Sequence, residues 1–383
     1  MILTDQKVYK KSDSFIQLED HSNDKFDLSE LINYIKERSN NVSIYKKNIL
    51  LRVVRDLEEK TNCINDHVFK IFPHVREEIN RLETGDILDY LYYRYRYDVF
   101  PYTREVDAYP PVVQIEPTSI CNYRCVFCFQ TDSDLTSKNN KHMGQMSLPL
   151  FKNIIDDIEG NVQGVTLASR GEPLINKNIC EMLEYIKGKF LATKINTNAS
   201  LLNDKNIHAL LSSDLNTIVF SADAATSDLY KKLRVNGDFE KVVNNIKRFS
   251  SIKEKEYPKN KSIIRVSGVL YDNKQNIDDM KKIWGDLVDQ VAFVDYCPWT
   301  NVYKSKINNI TKPCTDLWRR MFVWWDGRCN PCDADYLSTL CVGRYPVNTI
   351  TKIWTGNKYD KLRQTHLDGN RKCRNVCSKC SVV

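Results

Sequence analysis

The run Pro117-Thr118-Ser119-Ile120-Cys121-Asn122-Tyr123-Arg124-Cys125-Val126-Phe127-Cys128 sets three cysteines at C-x3-C-x2-C, just after the apolar stretch Val112-Val113-Gln114-Ile115. Three thiolates on one tight loop can hold three corners of a [4Fe–4S] cube and leave the fourth iron without a protein ligand, where a small molecule can chelate. An open iron means chemistry as well as electron storage. A structural zinc or a plain electron-transfer site normally needs a fourth nearby ligand, and none follows within this loop.

Composition bounds where such a centre operates. The chain of 383 residues, 42% of them apolar, can bury one large core or two smaller ones, and no segment approaches the length of a membrane span. The start Met1-Ile2-Leu3-Thr4-Asp5-Gln6-Lys7 has no signal-peptide core, so a cytoplasmic protein with no membrane partner is expected. In a reducing compartment, 13 cysteines point to metal binding rather than disulfides, especially as most cluster in two places. The formal charge of +7 does not imply nucleic acid, because the Lys and Arg residues are scattered and thiolates would offset much of the excess.

The elements that must position the cysteine loop can be read from periodicity. Helical patterns cover Leu28 to Arg38 and Ile49 to Glu59, followed by the tyrosine-rich stretch Tyr90–Tyr97 and a linker marked by Pro101, Pro110 and Pro111. Beyond Val112, strand patterns at Val112–Glu116, Gly164–Leu167, Ala192–Thr197, Thr217–Ser221, Ile263–Leu270 and Gln290–Val294 alternate with helical ones. The helices are expected at Leu148–Glu159, Asn178–Lys189, Asn203–Leu211, Phe239–Ile252 and Ile277–Leu287. Alternation of this kind predicts an α/β fold with a mostly parallel sheet, whose functional groups gather at the carboxyl ends of its strands. The arginines and rings of Tyr90–Tyr97 could stack on RNA bases, although an interdomain packing face explains them as well.

The C-x3-C-x-aromatic-C loop after the first strand of a repeated β/α domain resembles the radical S-adenosylmethionine (SAM) superfamily, from roughly Val112 to the C-terminus. The resemblance implies a partial (β/α)6 barrel, with Cys121, Cys125 and Cys128 holding a [4Fe–4S] cluster bound with SAM and Phe127 beside it. Ser169-Arg170-Gly171-Glu172-Pro173 looks like the glycine–glutamate motif that contacts the SAM ammonium, with Arg170 where the family often has a first glycine. By the same likeness Asn196, Asn198, Ser221 and Arg234 are expected to meet the SAM ribose and carboxylate. Taken alone, each polar residue could be a cap or turn residue.

Cys314, Gly327, Cys332, Cys377 and Cys380 give C-x12-G-x4-C and then C-x2-C, which resembles the SPASM module and its shorter relative, the twitch domain. The chain ends three residues after Cys380, so one auxiliary [4Fe–4S] cluster on Cys314, Cys332, Cys377 and Cys380 is expected. The same four thiols would suit structural zinc. Cys329 and Cys373 lie near enough to replace a ligand; Cys63, Cys180 and Cys341 read as ordinary thiols. Three regions follow: a mostly helical extension over 1–108, the partial barrel over 109–308, and a small α+β twitch-like iron–sulfur domain over 309–383.

The resemblance extends to single-auxiliary-cluster dehydrogenases of aminocyclitols. It implies that a 5′-deoxyadenosyl radical abstracts hydrogen from a sugar, nucleotide-sugar or cyclitol carbon and that a secondary alcohol becomes a ketone, with flavodoxin or ferredoxin as external electron donor. In Asp295-Tyr296-Cys297-Pro298-Trp299, Asp295 and Tyr296 are candidates for handling a proton or binding hydroxyls. Cys297 would be the hydrogen donor if the reaction were instead a sugar epimerisation, though a buried structural thiol reads as well. Trp299, Trp318, Trp324 and Trp325 could stack on a sugar face or sit in the core. Peptide maturation, the activity of many SPASM relatives, is a third reading, but the first hundred residues lack a clear strand triplet for adding a peptide edge. An electron-transfer scaffold would leave Glu172 and the strand-end polar residues without SAM to bind. Nucleic acid is not expected as a partner.

Overall fold

The computed structural model describes Tyr9 and residues 15–17, 26–59, 67–296 and 302–383. Its strands run in chain order as β1 (Phe15–Gln17), β2 (Val112–Ile115), β3 (Arg124–Cys125), β4 (Gly164–Leu167), β5 (Ala192–Thr197) and β6 (Thr217–Ser221). They continue as β7 (Arg234–Val235), β8 (Ile263–Leu270), β9 (Gln290–Asp295), β10 (Arg320–Val323), β11 (Arg328–Asn330) and β12 (Gly343–Arg344). Ten form one sheet in the order β1-β9-β8-β6-β5-β4-β2-β10-β11-β12, and β3 pairs with β7 apart from it. From β9 to β10 every pairing is parallel, as helical crossovers require. This is the α/β core with a mostly parallel sheet that the alternation predicts, curved into a partial barrel.

Each strand divides its residues between two environments. Val113, Ile115, Val165, Leu167, Ile195, Ile218, Phe220, Ile264, Val266, Val291 and Phe293 pack outward into one core with the crossover helices. The alternate positions, among them Gln114, Thr166, Lys194, Asn196, Ser221, Arg265, Ser267 and Gln290, face the lumen, because successive side chains of a strand point to opposite faces. The helices have local reasons to start where they do: Ser147 accepts from the Leu150 amide ahead of Leu148–Ile158, and Asp238 from the Lys241 amide ahead of Phe239–Glu256.

Periodicity located all six barrel strands to within one residue at either end and missed four other members of the sheet, β1, β10, β11 and β12. β10 comes from the segment just after Cys314 and lies parallel to β2, so the C-terminal region completes the sheet beside the strand that leads to the cysteine loop. β1 adds an antiparallel edge against β9.

The helices Leu28–Arg38, Ile44–Glu58, Pro73–Arg81 and Ile87–Asp98 build a second core that also takes in Val112 and packs on Ala192, at the amino ends of β2 and β5. They therefore close the barrel end opposite the cysteine loop. The Tyr90–Tyr97 stretch is this floor and not an RNA surface: Tyr90, Tyr93, Arg94, Tyr95 and Arg96 are buried, and Arg94, Arg319 and Arg320 all lie over the Tyr97 ring. Trp318 and Trp324 are likewise core, and Trp325 is half-buried; Trp299 and Cys63 lie outside the described residues. Among the described residues no helix is long and apolar enough to cross a membrane.

Gly327 turns the chain between β10 and β11 at φ +82°, and a Cβ there would lie 2.2 Å from the Tyr345 carbonyl oxygen. Both strain and collision oppose any side chain, so Gly327→Ala should cost about 1–3 kcal/mol, read as a lower midpoint in urea with an unchanged slope.

Candidate functional site

The cysteine loop is held from three sides. Cys125 pairs with Arg234 across β3 and β7, where the guanidinium forms a 2.5 Å ion pair with buried Asp223, lies 3.9 Å from the Cys125 sulfur and sits 5.9 Å over the Phe127 ring. Asn122 donates to the Ser200 hydroxyl at 2.9 Å and accepts from the Asn198 amide at 2.9 Å, which fastens the loop to the end of β5. Ser119 and Thr118 hydroxyls donate to the carbonyls of His142 and Gly144. Gly171 packs so tightly on the loop that a Cβ would lie 2.3 Å from the Thr118 oxygen and 2.5 Å from the Ile120 oxygen.

Glu172 also has partners within the protein. It is buried, and both carboxylate oxygens already accept hydrogen bonds, one from the Thr197 hydroxyl at 2.6 Å and the Leu174 amide at 3.1 Å, the other from the Asn198 amide at 2.7 Å. It thus brackets the ends of β4 and β5, and burial keeps its pKa raised against those donors. The buried Ser169 hydroxyl and Asn196 side-chain oxygen, at the same two strand ends, have no hydrogen-bond partner among the described residues. Unanswered buried polar atoms beside a closely packed glycine turn fit a polar cofactor such as SAM. Ser221 ends β6 at the same level.

Arg170, at the position of the missing glycine, is the residue whose consequence could not be read from its neighbours in sequence. Its guanidinium is fully enclosed and forms a fork on Glu116, at 2.6 and 2.7 Å, donates to the Tyr336 carbonyl at 2.8 Å and lies 4.4 Å over the Trp324 ring. Glu116 also accepts from the Trp325 amide at 3.3 Å, and its own amide donates to the Val323 carbonyl at 2.9 Å. Gln130 donates to the carbonyls of Ser119 and Arg170. One buried cluster therefore joins the start of the cysteine loop, the glycine–glutamate turn and the C-terminal region.

The thiols act on one another. Burial pushes Cys121 and Cys128 up to about 12, with the charge of Cys125 adding to both. Burial also raises Cys125, against the opposing charge of Arg234. In the C-terminal region burial lifts Cys314 to about 11 and raises Cys332 and Cys377 further; Cys314 feels Cys380, Cys332 feels Cys377 and Cys314, and Cys377 feels Cys314 and Cys380. Thiols that are costly to ionise alone and close enough to repel are suited to a cationic iron centre that takes up their charge. Among the described residues no three His, Cys, Asp or Glu side chains close around a single ion.

Further contacts support the four C-terminal thiols. The Arg371 guanidinium donates to the Cys380 carbonyl at 3.0 Å and the Lys312 carbonyl at 2.9 Å, and buried His366 accepts from the Cys314 amide at 3.1 Å. Cys329 and Cys373 do not join this group. Cys329 is buried in β11 and feels Cys341 instead, while Cys373 is exposed.

The three residues expected to act on substrate separate. Tyr296 packs edge-on against Tyr271 at 4.9 Å, which in turn tilts on Phe127 at 5.8 Å, so it is connected to the cysteine loop. Asp295 is exposed and shares the strand face of Val291 and Phe293, turned from the lumen, because the β9 alternation gives that face to the helices. Cys297 lies outside the described residues.

A parallel partial barrel with a three-cysteine loop at its first strand end, joined to a four-thiol C-terminal region, defines a SAM-dependent iron–sulfur enzyme. Residues 115–283 match the Radical SAM superfamily and residues 314–381 match the SPASM iron–sulfur cluster-binding domain, together more than half of the chain. The chain belongs to the radical SAM superfamily and carries a SPASM domain; SAM and [4Fe–4S] clusters, an auxiliary one included, are its cofactors. It is similar to a probable GTP 3′,8-cyclase of Methanocaldococcus jannaschii (24% identical, covering 52% of this chain and 63% of that protein) and to the mycofactocin maturase MftC of Mycobacterium tuberculosis (25%, covering 39% and 37%). The chain thus spans less than two thirds of the length of these curated relatives. In fold it is similar to Streptococcus suis SuiB bound to the precursor peptide SuiA, with 15% identity and a TM-score of 0.55, over 92% of this chain and 90% of that one. BtrN in complex with AdoMet and 2-DOIA covers 71% of this chain and 93% of its own, at 17% identity and a TM-score of 0.48.

Replacing Arg170 by Met leaves the Glu116 carboxylate buried without its countercharge and should cost about 3–5 kcal/mol in denaturant unfolding. Adding Glu116→Gln to the same chain should recover a large part of that loss, the sign of a coupled pair rather than of lost packing.

Proposed function

We propose that this radical SAM enzyme oxidises a secondary alcohol of a sugar, nucleotide-sugar or cyclitol to a ketone. The observation that carries this reading is the convergence of Cys314, Cys332, Cys377 and Cys380 in a region whose strand β10 pairs directly with β2, the strand that presents the cysteine loop. Two redox centres built onto adjacent strands suit a reaction that starts with one electron and must dispose of another.

Cys121, Cys125 and Cys128 are assigned to the cluster that binds SAM, and the four C-terminal cysteines to one auxiliary cluster. When bound, these cofactors supply a 5′-deoxyadenosyl radical that takes hydrogen from a substrate carbon and an acceptor for the electron left behind. The residues of the chain do the rest. Gly171 admits close backbone approach, Asn196, Asn198 and Ser221 offer polar contacts to SAM at successive strand ends, and Glu172 and Arg234 hold the turn and loop that frame it. Tyr296, fastened through Tyr271 to Phe127, is the group assigned to the substrate hydroxyl. The floor of helices around Tyr93 and Tyr97 shuts one end of the lumen and so restricts water. A flavodoxin or ferredoxin is the reductant this chemistry asks for.

Reconstituted protein should hold about eight irons per chain, and about four after Cys314→Ala combined with Cys332→Ala, with SAM binding retained. Incubation with SAM, reductant and candidate sugars in deuterated water should give 5′-deoxyadenosine and a product lighter by two hydrogens. Solvent deuterium on carbon without net oxidation would show epimerisation instead, and no SAM cleavage with both clusters present would refute the radical reading.

A further inference from the structure

Lys194 is a cation placed where the fold has no need of one. It stands on β5, in register with Thr166 of β4 and Thr217 of β6, on the face that looks into the lumen. It makes no hydrogen bond or ion pair with any described residue. Its side chain keeps water-accessible surface although protein surrounds it: burial, then Arg265 and Arg320, hold its pKa down to about 8.

The two guanidiniums each have uncharged hydrogen-bond partners. Arg265 of β8 donates to the Gln290 side-chain oxygen at 2.6 Å, and Arg320 of β10 donates to the Tyr97 hydroxyl at 2.5 Å and to the Gln114 oxygen at 3.4 Å. Glu78 is the carboxylate felt by both Lys194 and Arg265, and it accepts from the Tyr90 hydroxyl; Glu77, felt by Arg265, pairs with Arg81. Asp316 and Asp333 act on Arg320. An ammonium withdrawn from water without an ion-paired carboxylate is costly, and an apolar side chain of similar size would be more stable in its place. Stability given up in a polar lumen below a cofactor site is the pattern of a group kept for a ligand.

The distances suit a substrate that reaches from that ligand group to the reacting carbon. Lys194 lies two residues below Asn196 on the same strand face, about 7 Å at the rise of a strand, and the strand ends one residue beyond Asn196. A sugar ring fits between these levels. We propose that Lys194, with Arg265 and Arg320 beside it, forms an anion subsite in the barrel lumen that takes a phosphate or carboxylate of the substrate. The substrate is then an anionic sugar derivative, such as a sugar phosphate, nucleotide-linked sugar or uronic acid, and not a neutral or cationic cyclitol. This rests on the reading that the lumen receives the sugar whose carbon is oxidised.

The test is calorimetric titration of anaerobically reconstituted, SAM-loaded protein with inorganic pyrophosphate, glucuronate and myo-inositol. Pyrophosphate or glucuronate should bind and myo-inositol should not, and whichever anion binds names the source of the charge. Lys194→Met and Lys194→Gln should each weaken that binding about tenfold or more. Without anion, Lys194→Met should melt above the wild type, since an unanswered buried charge has been removed. Failure of both anions to bind, equal binding by the variants, or a lower melting temperature or misfolding of Lys194→Met would overturn the subsite, the last because it would show Lys194 to be structural. SAM cleavage in the same preparation separates the two ideas: cleavage without anion binding removes the subsite alone, and anion binding without cleavage removes the radical reading alone.

Discussion

The buried fork between Arg170 and Glu116 is the interaction on which the site geometry hangs. Glu116 directly follows β2 and precedes the cysteine loop, Arg170 directly precedes Gly171 and Glu172, and the same guanidinium reaches the Tyr336 carbonyl and the Trp324 ring. A carboxylate at this depth is tolerable only with its countercharge and hydrogen bonds in place. The pair therefore accepts one relative position of loop, turn and C-terminal region, and the Trp325 and Val323 contacts to Glu116 add the strand β10 to the same arrangement.

Rigidity of this kind matters because the reaction class needs two cysteine groups in fixed relation. Each group is built from thiols that raise one another's pKa through burial and proximity, so neither is arranged for the free protein. Both are arranged for a cationic centre, and Arg234 near Cys125 and Arg371 near Cys380 supply part of that positive field from the protein itself. The substitution of arginine for the family's first glycine is then no defect of the turn. It moves the turn's support from backbone compactness to a charge clamp that extends into the auxiliary domain.

The N-terminal helices gain a plain physical role from the same view. A parallel barrel with polar residues on its inner face has an open amino end, and the helix Ile87–Asp98 covers it with tyrosine rings and arginines whose charges meet Asp98 and Asp107. The floor is thereby aromatic, with its arginine charges answered by aspartates, and Lys194, Arg265 and Arg320 stand on the strands above it.

Much of this was legible in the residues alone, for reasons of range. Cys121, Cys125 and Cys128 lie in one short loop, Gly327 is needed by a turn of its own chain, and strands such as Ala192–Thr197 declare themselves by an alternation two residues long. Local spacing is sufficient for such features. It could not show that β10 lies against β2, that Glu172 is occupied by the end of β5, that Asp295 faces away from the lumen while Tyr296 reaches the loop through Tyr271, or that Cys329 answers Cys341 and leaves the auxiliary group. Nor could it show that Lys194, one polar residue in a strand of mixed character, looks at two arginines from distant strands. The sequence by itself determined the class of chemistry, because that chemistry needs only ligand types at set spacings. The tertiary structure alone decided what surrounds the chemistry, because burial and countercharge come from residues scores of positions apart.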